Sequence, residues 1–142
     1  MAFHAGRTAI RLSPGITMWG IDEGAEGPAL YRHLVAELDK LGLAYLHVVH
    51  TGDEQLIGDL RAQWKQSLIV NRPGRPRDQI GADVASGLAD LEAYGQMVLA
   101  KPDFVARLKT GAPMNNADRA SFFGGAAQGY TDYPALGAAT AA

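Results

Sequence analysis

Short apolar runs alternate with longer stretches of helical period along this chain, and Gly or Pro punctuates nearly every change from one to the other. The run Thr8–Leu12 carries β-branched residues and stops at Ser13-Pro14-Gly15, a turn signal. A loop over residues 16–27 follows. Pro28 then suits a first helical turn, and Leu30, Leu34, Leu38 and Leu41 recur at spacings of four, four and three, which predicts a helix with one apolar face ending before Gly42. The second run, Leu43–Val49, is almost continuously apolar, as a parallel strand buried on both faces requires, and a helix over Glu54–Trp64 is expected after it. The third, Ser67–Val70, meets the cluster Asn71-Arg72-Pro73-Gly74-Arg75-Pro76-Arg77, beyond which Ile80, Val84 and Leu88 repeat every four residues. The fourth is placed at Ala89–Tyr94, with Gly95 after it and a helix over Pro102–Lys109 capped by Gly111. From Ala112 onward there is no clear period, and Gly137–Ala142 reads as a frayed terminus.

Four consecutive βα units predict an α/β domain over residues 1–142 with parallel strands and right-handed crossovers. Two architectures satisfy this pattern, an open doubly wound sheet and part of a (β/α)8 barrel. A full barrel takes about 250 residues. Four units in 142 residues amount to half of a barrel or to a complete open sheet, and the pattern alone does not separate the two.

Charge and composition narrow the chemistry. Thirteen basic residues against fifteen acidic ones give a net charge of −2, so nothing draws the chain to nucleic acid or an anionic membrane. No apolar run reaches the roughly 20 residues that span a bilayer, and the N-terminal MAFHAGRTAI lacks the apolar core of a signal peptide; the expected compartment is the cytoplasm. The absence of cysteine removes disulfides, thiolate metal ligands and a cysteine nucleophile together, which leaves redox chemistry to a bound cofactor. His4, His33, His47 and His50 fall in neither an HxxxH nor an HExxH pattern, and no metal site is predicted.

Several residues are candidates for ligand chemistry. The loop NRPGRPR, from Asn71 to Arg77, joins a strand to a helix and combines Gly74 with three arginines. That arrangement suits either a phosphate held by backbone N–H groups and guanidinium forks, or a solvated basic turn. Gly95, at the end of the next strand, offers a backbone that a ligand can approach. In barrels the loops after the last two strands frequently bind phosphate, so the two loops reinforce one another. Arg11 interrupts an apolar strand and requires an anion, a carboxylate or a polar cofactor beside it. His47 and His50 end a strand on the side where α/β active sites lie. Trp19, Tyr31 and Trp64 are read first as packing residues and second as lining of a site.

Read in order, Arg11-Leu12-Ser13-Pro14, Tyr45-Leu46-His47, Ala93-Tyr94-Gly95-Gln96, Lys101-Pro102-Asp103, Phe122-Phe123-Gly124-Gly125 and Gly129-Tyr130-Thr131-Asp132-Tyr133-Pro134 closely resemble the Old Yellow Enzyme family of FMN-dependent ene-reductases. The resemblance runs from Arg7 to Leu136, and the ending GYTDYP is similar to that of the bacterial alkene, maleimide and nitrate-ester reductase branch. It implies the C-terminal half of a (β/α)8 barrel, strands five to eight with the closing tail.

In that family FMN takes hydride from NADPH or NADH and passes it to an activated alkene such as an α,β-unsaturated carbonyl, while a tyrosine protonates the other carbon. The family's substrate clamp and proton-donating tyrosine belong to the other half, so no catalytic residue is assigned here. By the same resemblance Arg11 matches the residue at the flavin N1/O2 edge, Asn71 to Gly74 with Arg72 the phosphate loop, Gly95 and Gln96 the Gly-Arg phosphate pair, and Tyr130 a residue lining the substrate entrance. Gln96 and Lys101 depart from the pattern. Glutamine donates a hydrogen bond without the charged fork of arginine, and lysine removes the side-chain N-cap of the usual asparagine. Arg72 or Arg75 is expected to restore the missing charge. Two open sheet edges imply a second copy or a complementing N-terminal half-barrel as partner; the alternatives are a non-catalytic FMN- or phosphate-binding module and an inactive gene fragment.

Overall fold

The computed structural model describes residues 4–50, 52–124 and 126–137, apart from the Trp19 side chain. The lining role weighed for Trp19 and the fraying expected of residues 138–142 lie outside the described residues. The strands are β1 (Ala9–Leu12), β2 (Tyr45–Val49), β3 (Ser67–Asn71) and β4 (Leu91–Glu92), and the helices α1 (Gly27–Asp39), α2 (Glu54–Gln63), α3 (Ala82–Ala85), α4 (Gln96–Leu99) and α5 (Phe104–Thr110). They fall into two compact units, Met1–Ala93 and Tyr94–Ala142. Among the described residues no helix is long and apolar enough to cross a membrane.

The first unit is a parallel sheet in the order β1-β2-β3-β4. Sequential order decides between the two architectures left open by the sequence. A doubly wound sheet reverses its strand order at a switch point, whereas right-handed crossovers without reversal deliver every helix to the same face. The core lies on that face. Leu46, Val48, Leu68 and Val70 pack there against Val35 of α1, Leu56, Ile57 and Leu60 of α2, Trp64 and Ala89.

The opposite face is open in part: along β2 Tyr45 is exposed, His47 half-buried and Val49 buried, which corrects the expectation that the whole strand is buried on both sides. Side chains alternate along a strand, and the register Arg11↔His47↔Ile69↔Leu91 forms one row across it. Arg11 and Leu91 at its ends are exposed, as is Tyr45 two residues before His47.

Two helices differ from their periodicity. In α1 the inward stripe is Tyr31, Val35 and Leu38, while Leu30 and Leu41 are exposed. Both stripes have helical spacing, and Tyr31 prevails because its hydroxyl finds Glu23 as a partner while its ring packs on the core. After β3 the expected helix through Ile80, Val84 and Leu88 shrinks to the single turn of α3. Gly81 at φ +85° and Gly87 at φ +77° bracket it in a conformation no helix continues.

In the second unit α5 ends as predicted, with Gly111 left-handed at φ +71°. Arg107, almost fully buried, binds Asp103 at 2.5 Å and the Pro134 carbonyl at 2.8 Å, and so ties the closing segment to α5. Gly129 sits at φ +71°, and an added Cβ would overlap the Ser121 side chain. Gly129→Ala is therefore expected to cost at least about 1–2 kcal/mol locally and to expose residues 121–134 to limited proteolysis; an unchanged cleavage pattern would contradict this packing.

Candidate functional site

The C-terminal ends of the strands carry the polar chemistry of the first unit. Arg11 stands on the open face, exposed, with no carboxylate or hydrogen-bond partner among the described residues. A buried guanidinium needs a counter-ion, as the apolar run around Arg11 implies; an exposed one does not, and the donor fork remains available to a ligand. His47 is its neighbour on β2. Its Nε2 is buried without a hydrogen-bond partner among the described residues, and burial, with the Arg11 charge second, holds the imidazole below its ordinary 6.5.

The loop after β3 is neither an open phosphate cradle nor a solvated basic turn. Pro73-Gly74 makes the tight turn, Gly74 at φ +76° and the Arg75 N–H donating to the Arg72 carbonyl at 3.3 Å. The two arginines then turn onto carboxylates. Arg72 donates to Asp83 at 2.6 and 3.0 Å and to Glu54 at 2.6 and 3.1 Å. Arg75 reaches Asp83 at 2.8 Å and Glu92 at 2.7 Å, and its buried Nε has no hydrogen-bond partner among the described residues. Glu92 also accepts the backbone N–H groups of Gly81 and Asp83, and so fixes the single-turn α3 on β4.

His50, buried, shares Glu54 with Arg72 through Nε2 at 3.1 Å. Burial pushes the Asp83 carboxyl up, but hydrogen bonds from Arg72 and Arg75 outweigh it and hold Asp83 below 3.8. The Arg72 hydrogen bond likewise lowers Glu54. The guanidinium charges of Arg72 and Arg75 meet three carboxylates, so neither has positive charge to spare for an anion. Asn71 faces elsewhere, its amide donating to the Ala93 carbonyl at 2.6 Å.

Glu54, Asp83 and Glu92 were not singled out from sequence. One signal was present: Glu92 interrupts the apolar run Leu91–Ala93 as Arg11 interrupts its own strand. A cleft of about 290 Å³ lies behind the β1–α1 loop between Pro14, Thr17, Tyr31, His50 and Leu56. Glu23 crosses it, accepting from the Gly15 N–H at 2.9 Å and from the Tyr31 hydroxyl at 2.5 Å. Burial first, then Glu23, pushes the Tyr31 hydroxyl up to about 12.

The second unit holds the remaining predicted residues. Gly95 precedes α4 with right-handed φ −92°, and nothing lies within 4 Å of where its Cβ would stand, so the backbone is open to approach. Gln96 and Tyr130 are exposed. Lys101 is buried, and burial together with Arg107 lowers its pKa.

The chain is similar to 12-oxophytodienoate reductase 1 of Oryza sativa subsp. japonica, 34% identical over 93% of this chain and 37% of that protein. It is also similar to 12-oxophytodienoate reductase 2 of Arabidopsis thaliana, 32% identical over 92% of the chain and 37% of the relative. Among solved structures, morphinone reductase in complex with tetrahydroNAD superposes with a TM-score of 0.79 at 36% identity, over 90% of this chain and 35% of that one. These relatives are Old Yellow Enzyme family members. No protein-family model matches the chain. It spans just over a third of the length of the curated relatives it matches. The fold is thus part of a (β/α)8 barrel, and the open face is the side that a closed barrel turns inward.

Proposed function

We propose that this chain is the FMN-binding part of an NAD(P)H-dependent ene-reductase of the Old Yellow Enzyme family, and that the 142 residues alone do not turn over. The observation that carries the reading is Arg11, a free guanidinium on the inward face of a barrel sheet whose relatives are reductases. When bound, FMN would supply hydride transfer from the nicotinamide cofactor to an activated alkene such as an α,β-unsaturated carbonyl. The GYTDYP ending supports the bacterial branch, and a cytoplasmic location is part of the same reading.

Fit to the cofactor divides by residue. Arg11 suits the N1/O2 edge of the ring, where a positive charge favours the reduced, anionic form. Arg72 and Arg75 do not suit the phosphate, because Asp83, Glu54 and Glu92 already occupy them. In the second unit the backbone at Gly95 and the Gln96 side chain remain candidates for it; in the first unit Asn71 is a candidate only if its amide leaves the Ala93 carbonyl. Tyr130 is assigned to the substrate entrance.

The sheet edges at β1 and β4 and the open face suit further barrel strands, supplied by another copy or by an N-terminal half-barrel. FMN titration of the purified chain, followed by flavin fluorescence with light scattering on the same sample, tests both points. Saturable binding by a defined oligomer is expected, together with loss of binding in Arg11→Ala and no NADPH-dependent reduction of an activated alkene. Binding indifferent to Arg11→Ala would overturn the assignment. Robust turnover by the chain alone would overturn the view that its catalytic half lies elsewhere.

A further inference from the structure

The open sheet face carries a residue that the functional reading leaves unused. His47 is the register partner of Arg11 on the adjacent strand, and partners in a parallel ladder project from the same face. Across its other side stands Ile69, and along its own strand Tyr45. Arg11 is the only charged group acting on the imidazole among the described residues. The buried Nε2 of the ring has no hydrogen-bond partner among the described residues and accepts one when the proton is on Nδ1; the neighbouring guanidinium has no partner among them either. An unmatched buried acceptor is unfavourable by about 1–3 kcal/mol, so the pair has a standing reason to meet.

We propose that His47 is the positioning residue for Arg11: its neutral imidazole accepts one guanidinium N–H at Nε2 and directs the remaining donors to an anionic or carbonyl ligand edge over the sheet. The ligand part rests on the FMN reading above; the pairing does not. A carboxylate at position 47 would hold Arg11 more firmly but cancel its charge, as Asp83 does for Arg72 and Arg75. Neutral imidazole orients the cation and leaves its charge for the ligand. Protonation would reverse this, removing the acceptor and placing a second positive charge beside the first.

The test combines a ligand-free readout with a ligand-bound one. In NMR titrations of the chain the His47 imidazole is expected to titrate below an ordinary histidine, and Arg11→Met to move it upward. In FMN titrations His47→Leu is expected to weaken binding about tenfold, the loss of one hydrogen bond to a charged group, while His47→Gln, which keeps a neutral acceptor, restores most of it. A His47 titration unmoved by Arg11→Met would overturn the pairing and leave the flavin reading intact. A shifted titration without FMN binding would keep the pairing and overturn the flavin reading. If His47→Leu and His47→Gln weakened binding equally, His47 would be a packing residue only.

Discussion

Trp64→Ala is expected to destabilise the first unit by about 3–5 kcal/mol, the range for deleting a buried aromatic from a well-packed core. Trp64 is 1% exposed and lies in the cluster formed by α1, α2 and the covered sheet face. It also closes the α2–β3 connection. Its indole N–H donates to the Ser67 carbonyl at 3.0 Å, its backbone N–H to Leu60 at 2.9 Å, and its carbonyl accepts from Arg61 at 2.5 Å. The expected effect thus combines a cavity with a freed acceptor at the start of β3. Trp64→Phe keeps most of the ring volume and loses the indole hydrogen bond, so a smaller loss of about 1–1.5 kcal/mol is expected. Urea unfolding followed by far-UV circular dichroism reads both. A Trp64→Ala midpoint close to that of the parent chain would mean that Trp64 is not part of the core that holds this sheet together.

How far sequence alone carries is seen by comparing β2 with the loop after β3. The apolar run at Leu43–Val49 located the strand, because strand burial is recorded locally in residue type. It did not reveal that one face is open. Tyr45 and Leu91 are typical of a buried strand, and they are exposed only because nothing described covers that side. Which face is covered follows from strand order, and strand order is a property of the whole sheet.

The same contrast separates the two arginine sites. Arg11 was legible as an intruder in an apolar run, and its position on the inward face follows from alternation. Arg72 and Arg75 were legible as charges beside a turn, but their partners come from α2, α3 and β4, between 8 residues (Arg75 to Asp83) and 18 residues (Arg72 to Glu54) away in the sequence. Local pattern marks that a charge needs a partner. Only the tertiary fold says whether the partner is a ligand or another residue. Helix α3 failed for a simpler reason: a period of four over Ile80, Val84 and Leu88 does not register that Gly81 and Gly87 have left helical space.

Asp83→Asn is expected to cost about 3 kcal/mol at neutral pH, as breaking a buried ion pair from one side does. Asp83 is 5% exposed and serves Arg72 and Arg75 together; the amide keeps its volume but removes its charge and turns an N–H pair towards one guanidinium. The loss has a pH signature. In the fold the carboxyl titrates below its ordinary 3.8, so the unfolded chain binds that proton more readily. The stability Asp83 confers is therefore full above 3.8 and is lost as pH falls through the lower folded value. Asparagine takes up no proton, so the stability difference between the two chains is expected to be largest at neutral pH and to shrink once the pH drops below about 4. Urea midpoints of both proteins across that window read the difference directly. A difference that stayed constant down to the acid limit would mean that the Asp83 carboxyl titrates alike in the folded and unfolded chains and so does not pair with the two arginines, which would then be free to hold the phosphate expected of their loop.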